Sequence, residues 1–163
     1  MIANPNCFFM VAGHAHGPTA LNAFDLALIN AGVGDLNLVR LSSILPPGCA
    51  QIEPIKIPPG QLIPCAFAKQ TAVVEGTVIS AAVGVGIPTD PTQAGLIMEY
   101  HSHGFSGDRA KDRVSQMVAD GMAARNREYS EILTACTELV VESDWGAVFA
   151  GVVLWRKQAI GGL

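Results

Sequence analysis

The sequence predicts an α+β fold in which two helices cover a mostly antiparallel sheet. Three observations carry that expectation. Two stretches, at 17–32 and 106–126, repeat their apolar residues with helical spacing. Six shorter runs read as strands, and they do not alternate with the helices in the β-α-β order that a parallel sheet requires. Many strand positions are apolar on both faces, as expected where a strand meets both a sheet and a helix.

The elements follow in chain order. "GPTALNAFDLALINAG" is a helix: Pro18 suits its entry, Leu21, Phe24 and Leu28 recur at helical spacing, and Gly32 suits its exit. "DLNLVRLSS" alternates as a strand, with Leu36, Leu38, Arg40 and Ser42 on one side. Asn37, Val39, Leu41 and Ser43 lie on the other. Pro46, Pro47, Pro54, Pro58 and Pro59 make the next segment extended and irregular. Strands follow at "LIPCAFAKQ", "TVISAAVGVGI" and "GLIMEY". The second helix, "SGDRAKDRVSQMVADGMAARN", has Ser106 as its cap and Ala110, Val114, Met117, Val118 and Met122 as its stripe. "SEILTACTELVVE" and "AVFAGVVLWRK" read as a hairpin around "SDWG", and "QAIGGL" reads as a tail.

Residues 1–163 are the size of one domain. Half the residues are hydrophobic and only 15% are charged, which is rich for a soluble monomer. No apolar run approaches the roughly 20 residues of a spanning helix. The opening "MIANPNCFFMVAG" lacks the basic residues and the long apolar run of a secretion signal. The expectation is therefore a cytoplasmic homo-oligomer, with no membrane partner. Cys7, Cys49, Cys65 and Cys136 are scattered, with no paired spacing for zinc or redox chemistry. The net charge of −4 with dispersed Lys and Arg argues against nucleic acid.

"RLSSILPPG" raises the chemical question. Ser42 and Ser43 end a strand, and two prolines stiffen the chain after them. No Ser-His-Asp order or GxSxG elbow supports a hydrolase. A serine with an amide behind it has another route open to it. The Ser43 hydroxyl attacks the Ser42 carbonyl, turning amide to ester, and loss of the Ser43 α-proton expels that ester. Dehydroalanine remains, and it hydrolyses to a pyruvoyl group and ammonia. Strain or a stabilised oxyanion has to drive the first step. Taken alone, the pair reads more simply as a turn.

Its surroundings favour the chemical reading. "PTALNAFDLALINAGVGDLNLVRLSSILPPG", followed by "VGVGIPTDPTQAGLIMEY", resembles the pyruvoyl-dependent arginine decarboxylases over roughly residues 8 to 157. The resemblance implies cleavage between Ser42 and Ser43 into chains 1–42 and 43–163, with Ser43 becoming the pyruvoyl cofactor. It implies conversion of L-arginine to agmatine and carbon dioxide through a Schiff base on that group. Asn37 matches a residue associated with self-processing, and Glu99 matches the proton donor. Asp25 matches the acceptor of the guanidinium, with Leu21, Gly34 and Leu36 lining its pocket. The implied fold is a four-layer αββα sandwich with mostly antiparallel sheets. The implied assembly is a trimer, or a dimer of trimers, with sites between subunits.

The residues bear on these roles independently. Glu99 ends an apolar strand, where burial would favour its protonated form and suit a general acid; an exposed strand-end glutamate is the plainer alternative. Asp25 shares a helical face with Leu21 and Leu28, so a guanidinium, from substrate or from this chain, is the expected partner. Asn37 is six residues before Ser43, about 20 Å along a straight strand. It meets Ser43 only through a bend or through a neighbouring subunit.

"GHAHG" (His14, His16) and "HSHG" (His101, His103) have the look of ligands, yet nothing completes a metal site and no metal is expected. The glycines of "VGVGIP" fit close packing better than a nucleotide loop. Two other readings stand: a pyruvoyl enzyme for another amino acid such as aspartate or lysine, or an uncleaved, non-catalytic binding trimer. Asp25→Asn with unchanged arginine activity would favour the former, and an intact chain after prolonged incubation the latter.

Overall fold

A computed structural model describes residues 4–157, so "QAIGGL" lies outside the described residues. Two sheets pack face to face, and each carries one helix on its outer face. The five-stranded sheet contains β1 (Cys7–Gly17), β2 (Asn37–Arg40), β4 (Ala50–Gln51), β5 (Leu62–Ala72) and β9 (Trp145–Trp155). Its spatial order is β2-β5-β9-β1-β4, antiparallel in the centre and parallel at the two short edge strands. The four-stranded sheet runs β3 (Ile44–Leu45), β7 (Gly95–His103), β6 (Val78–Pro88) and β8 (Tyr129–Val140), antiparallel throughout.

The layer between the sheets is the main core. Phe8, Val148, Val152 and Leu154 from one sheet meet Ile79, Val83, Val85 and Ile97 from the other. Residues alternating with these face the helices. Phe9, Ile63 and Phe149 pack under α1 (Ala20–Asn30), and Ala82 and Leu96 pack under α2 (Gly107–Ala123). Both faces of the central strands are thus buried, which explains why their apolar runs are continuous.

The helix signals match the caps. Thr19 accepts from Asn22 N–H at the start of α1. Gly32, with φ near +80°, ends it, its N–H donating to Ile29 while Val33 N–H donates to Leu28. Ser106 caps α2, whose stripe Ala110, Val114, Val118 and Met122 is fully buried. Glycine is required where a helix crosses a strand: a Cβ on Gly86 would lie 2.7 Å from Val118 Cγ1.

Two expectations need correction. The sequence reading assigned no strand before α1, yet β1 spans eleven residues and pairs with β9 along its whole length. Its alternation is hidden because both faces are covered. The final two strands are not a hairpin pair. β8 hydrogen-bonds to β6 and β9 to β1 and β5, so the connection at 141–144 crosses between the sheets. Val141, which is buried in the inter-sheet core, anchors that crossing.

Candidate active site

The serine pair lies on another crossing of the same kind. β2 ends at Arg40 on the edge of the five-stranded sheet, and β3 begins at Ile44 on the edge of the four-stranded sheet. Ser42 is exposed and Ser43 half-buried. The chain is held on both sides of the pair: Leu41 N–H donates to Cys65 O, 3.1 Å, and Ile97 N–H donates to the Ser43 carbonyl, 2.7 Å. The segment that the chemistry needs under tension is therefore tethered at each end to a different sheet.

Glu99 stands two residues beyond Ile97 on β7, on the same strand face and about 7 Å along it. It is not a carboxyl isolated in an apolar pocket. Arg40 Nη2 pairs with Glu99 Oε1, joining the two sheets beside the serines. The guanidinium also donates to Phe67 O, 3.0 Å, and lies over the Phe67 ring, 4.6 Å from its centroid. Glu99 Oε2 is buried and has no hydrogen-bond partner. A buried carboxylate oxygen left unpaired is costly, and such atoms concentrate where a reacting group is to be bound. Beneath the pair, burial pushes the Cys65 thiol up to about 12, with the Glu99 charge adding to the shift and Arg40 opposing it.

The other expected residues are dispersed around one chain. Asn37 is at the far end of β2, which runs straight from Asn37 opposite Leu62 to Arg40 opposite Cys65. No bend returns it toward Ser43, and its side-chain amide donates to Gly60 O. Asp25 is exposed, not enclosed in an apolar stripe. The face of α1 that is buried against the sheet carries Ala23 and Ala27, while Leu21 remains 75% exposed. Leu21 lines an open groove of about 350 Å³ with Phe24 and Lys69. Gly34 and Leu36 line another, of about 200 Å³, with Asp35 and Ile57. A larger groove, about 520 Å³, lies over α2 and is lined by Tyr100, Phe105, Arg109 and Arg113. It is on the opposite face of β7 from Glu99, so size alone does not mark the site.

Three of the four histidines, His14, His16 and His103, make contacts that reach from one sheet toward the other. His14 Nδ1 is 2.8 Å from Thr137 Oγ1, His16 Nε2 accepts from Glu142 N–H, and His103 contacts Gln70. Among the described residues no cluster could hold a metal ion.

Sequence reasoning missed Arg40, Phe67 and Ile97. The only available signal for Arg40 was a lone cation in an apolar run two residues before Ser42. Nothing in one dimension pairs it with a residue 59 positions later.

A profile of the family described as pyruvoyl-dependent arginine decarboxylase matches residues 7–159. A protein of that name from Methanocaldococcus jannaschii is 44% identical over 154 residues, covering 94% of this chain and 92% of its own. One from Methanococcus vannielii is 41% identical with the same coverage, and one from Pyrococcus horikoshii is 37% identical over 93% and 96%.

Proposed function

We infer the function from one premise: the chain belongs to the pyruvoyl-dependent arginine decarboxylase family. It is a self-processing carboxy-lyase that converts L-arginine to agmatine and carbon dioxide, and its cofactor is a covalently bound pyruvoyl group. The cleavage is at Ser42-Ser43, giving chains of 42 and 121 residues.

The residues fit the group. Formed at residue 43, the pyruvoyl group would supply a ketone for the substrate amine and an electron sink for the substrate α-carbon. Ile97 N–H donates to the Ser43 carbonyl, so Ile97 would hold and polarise the carbonyl end of the group. The observation that carries the reading is Glu99 Oε2, buried, unpartnered and one strand step from that anchor. From there Glu99 takes the proton that the substrate's ammonium must shed and gives it to the α-carbon after carbon dioxide leaves. Asp25 receives the guanidinium as a two-point ion pair, and Leu21, Gly34 and Leu36 pack along the substrate's aliphatic stem.

The dispersal of these residues supports a site completed between subunits. Leu21 (75%), Ile29 (53%), Val39 (47%) and Leu62 (72%) are exposed apolar side chains on α1, β2 and β5. Covering them with a second copy would bring a neighbour's Asn37 and Asp25 toward Ser43 and Glu99. We take the assembly to be a trimer, alone or paired, as the family resemblance implies, and the compartment to be the cytoplasm. No helix among the described residues is long and apolar enough to cross a membrane.

Denaturing intact-mass measurement and a carbon dioxide release assay test the reading together. Two fragments, the larger blocked at its start, with agmatine formed from arginine, is the expected result. A purified chain that stays intact and inactive overturns it.

A further inference from the structure

We propose that Arg40 is a positioning residue for Glu99 and the clasp that keeps the two cleavage fragments in register at the site. The inference rests on the self-processing reading above. Arg40 lies three residues before Ser43 and so stays with the short fragment, whereas Glu99 and Phe67 belong to the long one. Its guanidinium is committed in three ways. It pairs with Glu99 Oε1, donates to Phe67 O and lies on the Phe67 ring. The planar fork allows all three at once, which a lysine ammonium cannot reproduce. Holding Oε1 fixes the rotation of the carboxylate, and so fixes where the unpartnered Oε2 points. A proton donor displaced by about 1 Å loses on the order of a hundredfold in rate, so a group that sets this direction governs turnover without touching substrate.

The same contacts act on the chain end. Once the bond after Ser42 is broken, β2 is four residues long at a sheet edge and the short fragment ends two residues past Arg40. Beyond its ladder to β5, the Arg40 contacts hold that new end against β7.

The experiment compares Arg40→Met and Arg40→Lys with wild type, each also in a Glu99→Gln background. Cleavage is scored by intact mass, and kcat and KM are measured on cleaved protein. Backbone hydrogen exchange is followed in the 37–42 peptide. Arg40→Met should cleave, lose about a hundredfold in kcat with KM changed less than threefold, and have almost no further effect in the Glu99→Gln background. Exchange in the 37–42 peptide should rise about tenfold, the factor that a charge-assisted hydrogen bond commands, and Arg40→Lys should recover only part of either loss. A cleaved Arg40→Met enzyme within threefold of wild type, additive losses with Glu99→Gln, or unchanged exchange would each overturn the proposal. If neither variant cleaves, Arg40 serves processing and the positioning role is refuted. Wild type that releases no carbon dioxide from arginine refutes the function proposed above, and the exchange readout still decides the clasp.

Discussion

Adding one methyl group at Gly95 should slow self-cleavage by disturbing how β3 seats on β7. Gly95 pairs with Leu45 in the β3–β7 register, two residues after Ser43. A Cβ there would lie 2.6 Å from Gly86 O and 3.1 Å from Leu45 Cδ2. The first neighbour is backbone in the middle of the sheet and cannot rotate away, so Leu45 and its short strand must move instead. Overpacking of this kind costs about 1–3 kcal/mol of stability. A shift of Ser43 approaching 1 Å would slow the acyl shift by ten- to a hundredfold. Gly86→Ala is the matched control. Its Cβ meets Val118 at 2.7 Å and Met122 at 3.2 Å on the α2 side of the sheet, so it should cost similar stability and leave cleavage near wild type. The assay follows the uncleaved fraction by intact mass against time, with urea unfolding for stability. Equal cleavage rates in the two variants, at equal destabilisation, would refute the claim that β3 seating controls the reaction.

Other outcomes follow from the same geometry. Asp25→Asn should cleave normally yet lose about a hundredfold in kcat/KM for arginine, mostly through KM; steady-state kinetics on cleaved protein check it. Phe149→Ala removes the ring that Phe24 and Phe67 meet at 6.1 Å and 5.5 Å under α1. It should cost about 3–5 kcal/mol and lower Tm by roughly 6–20 °C, as calorimetry would show. The Cys65 thiol, raised in the folded state to about 12, contributes stability that is intact below the unfolded thiol's value of 9.0 and is lost as pH rises toward 12. The Cys65 contribution should therefore fall above pH 9 by about 1.4 kcal/mol per pH unit, with the raised Cys49 thiol adding to the loss. Urea midpoints from pH 8 to 11 should show that slope flattened in Cys65→Ala.

The two helices were legible because their signals are local: Pro18 stands beside the Thr19 cap, Ser106 caps, Gly32 terminates, and the α2 stripe repeats at 3.6 residues. Strand pairing is not local. Adjacency in sequence favours pairing, which made β8 and β9 look like a hairpin, but buried Val141 carries the chain to the other sheet. β1 escaped because double-sided burial erases alternation. At the site, the resemblance supplied Ser42, Ser43 and Glu99. Arg40 became visible only when the sheets brought β2 and β7 together. Asp25 and Leu21 share a helical face and are both exposed in the single chain, because helical spacing identifies a shared face without saying what covers it.

The eleven-pair register between β1 and β9 has a consequence for the molecule's history. β1 belongs to the short fragment and β9 to the long one, and β1 is interior to its sheet. The proposed cut at Ser42-Ser43 would therefore release nothing, since separation requires a central strand to be torn from its neighbour. Folding before the cut is a first-order event with an intramolecular search. After it, recovery from denaturation becomes a meeting of two solutes, slower at every dilution. A cut made after folding would thus turn recovery of the fold from a property of one chain into a property of concentration.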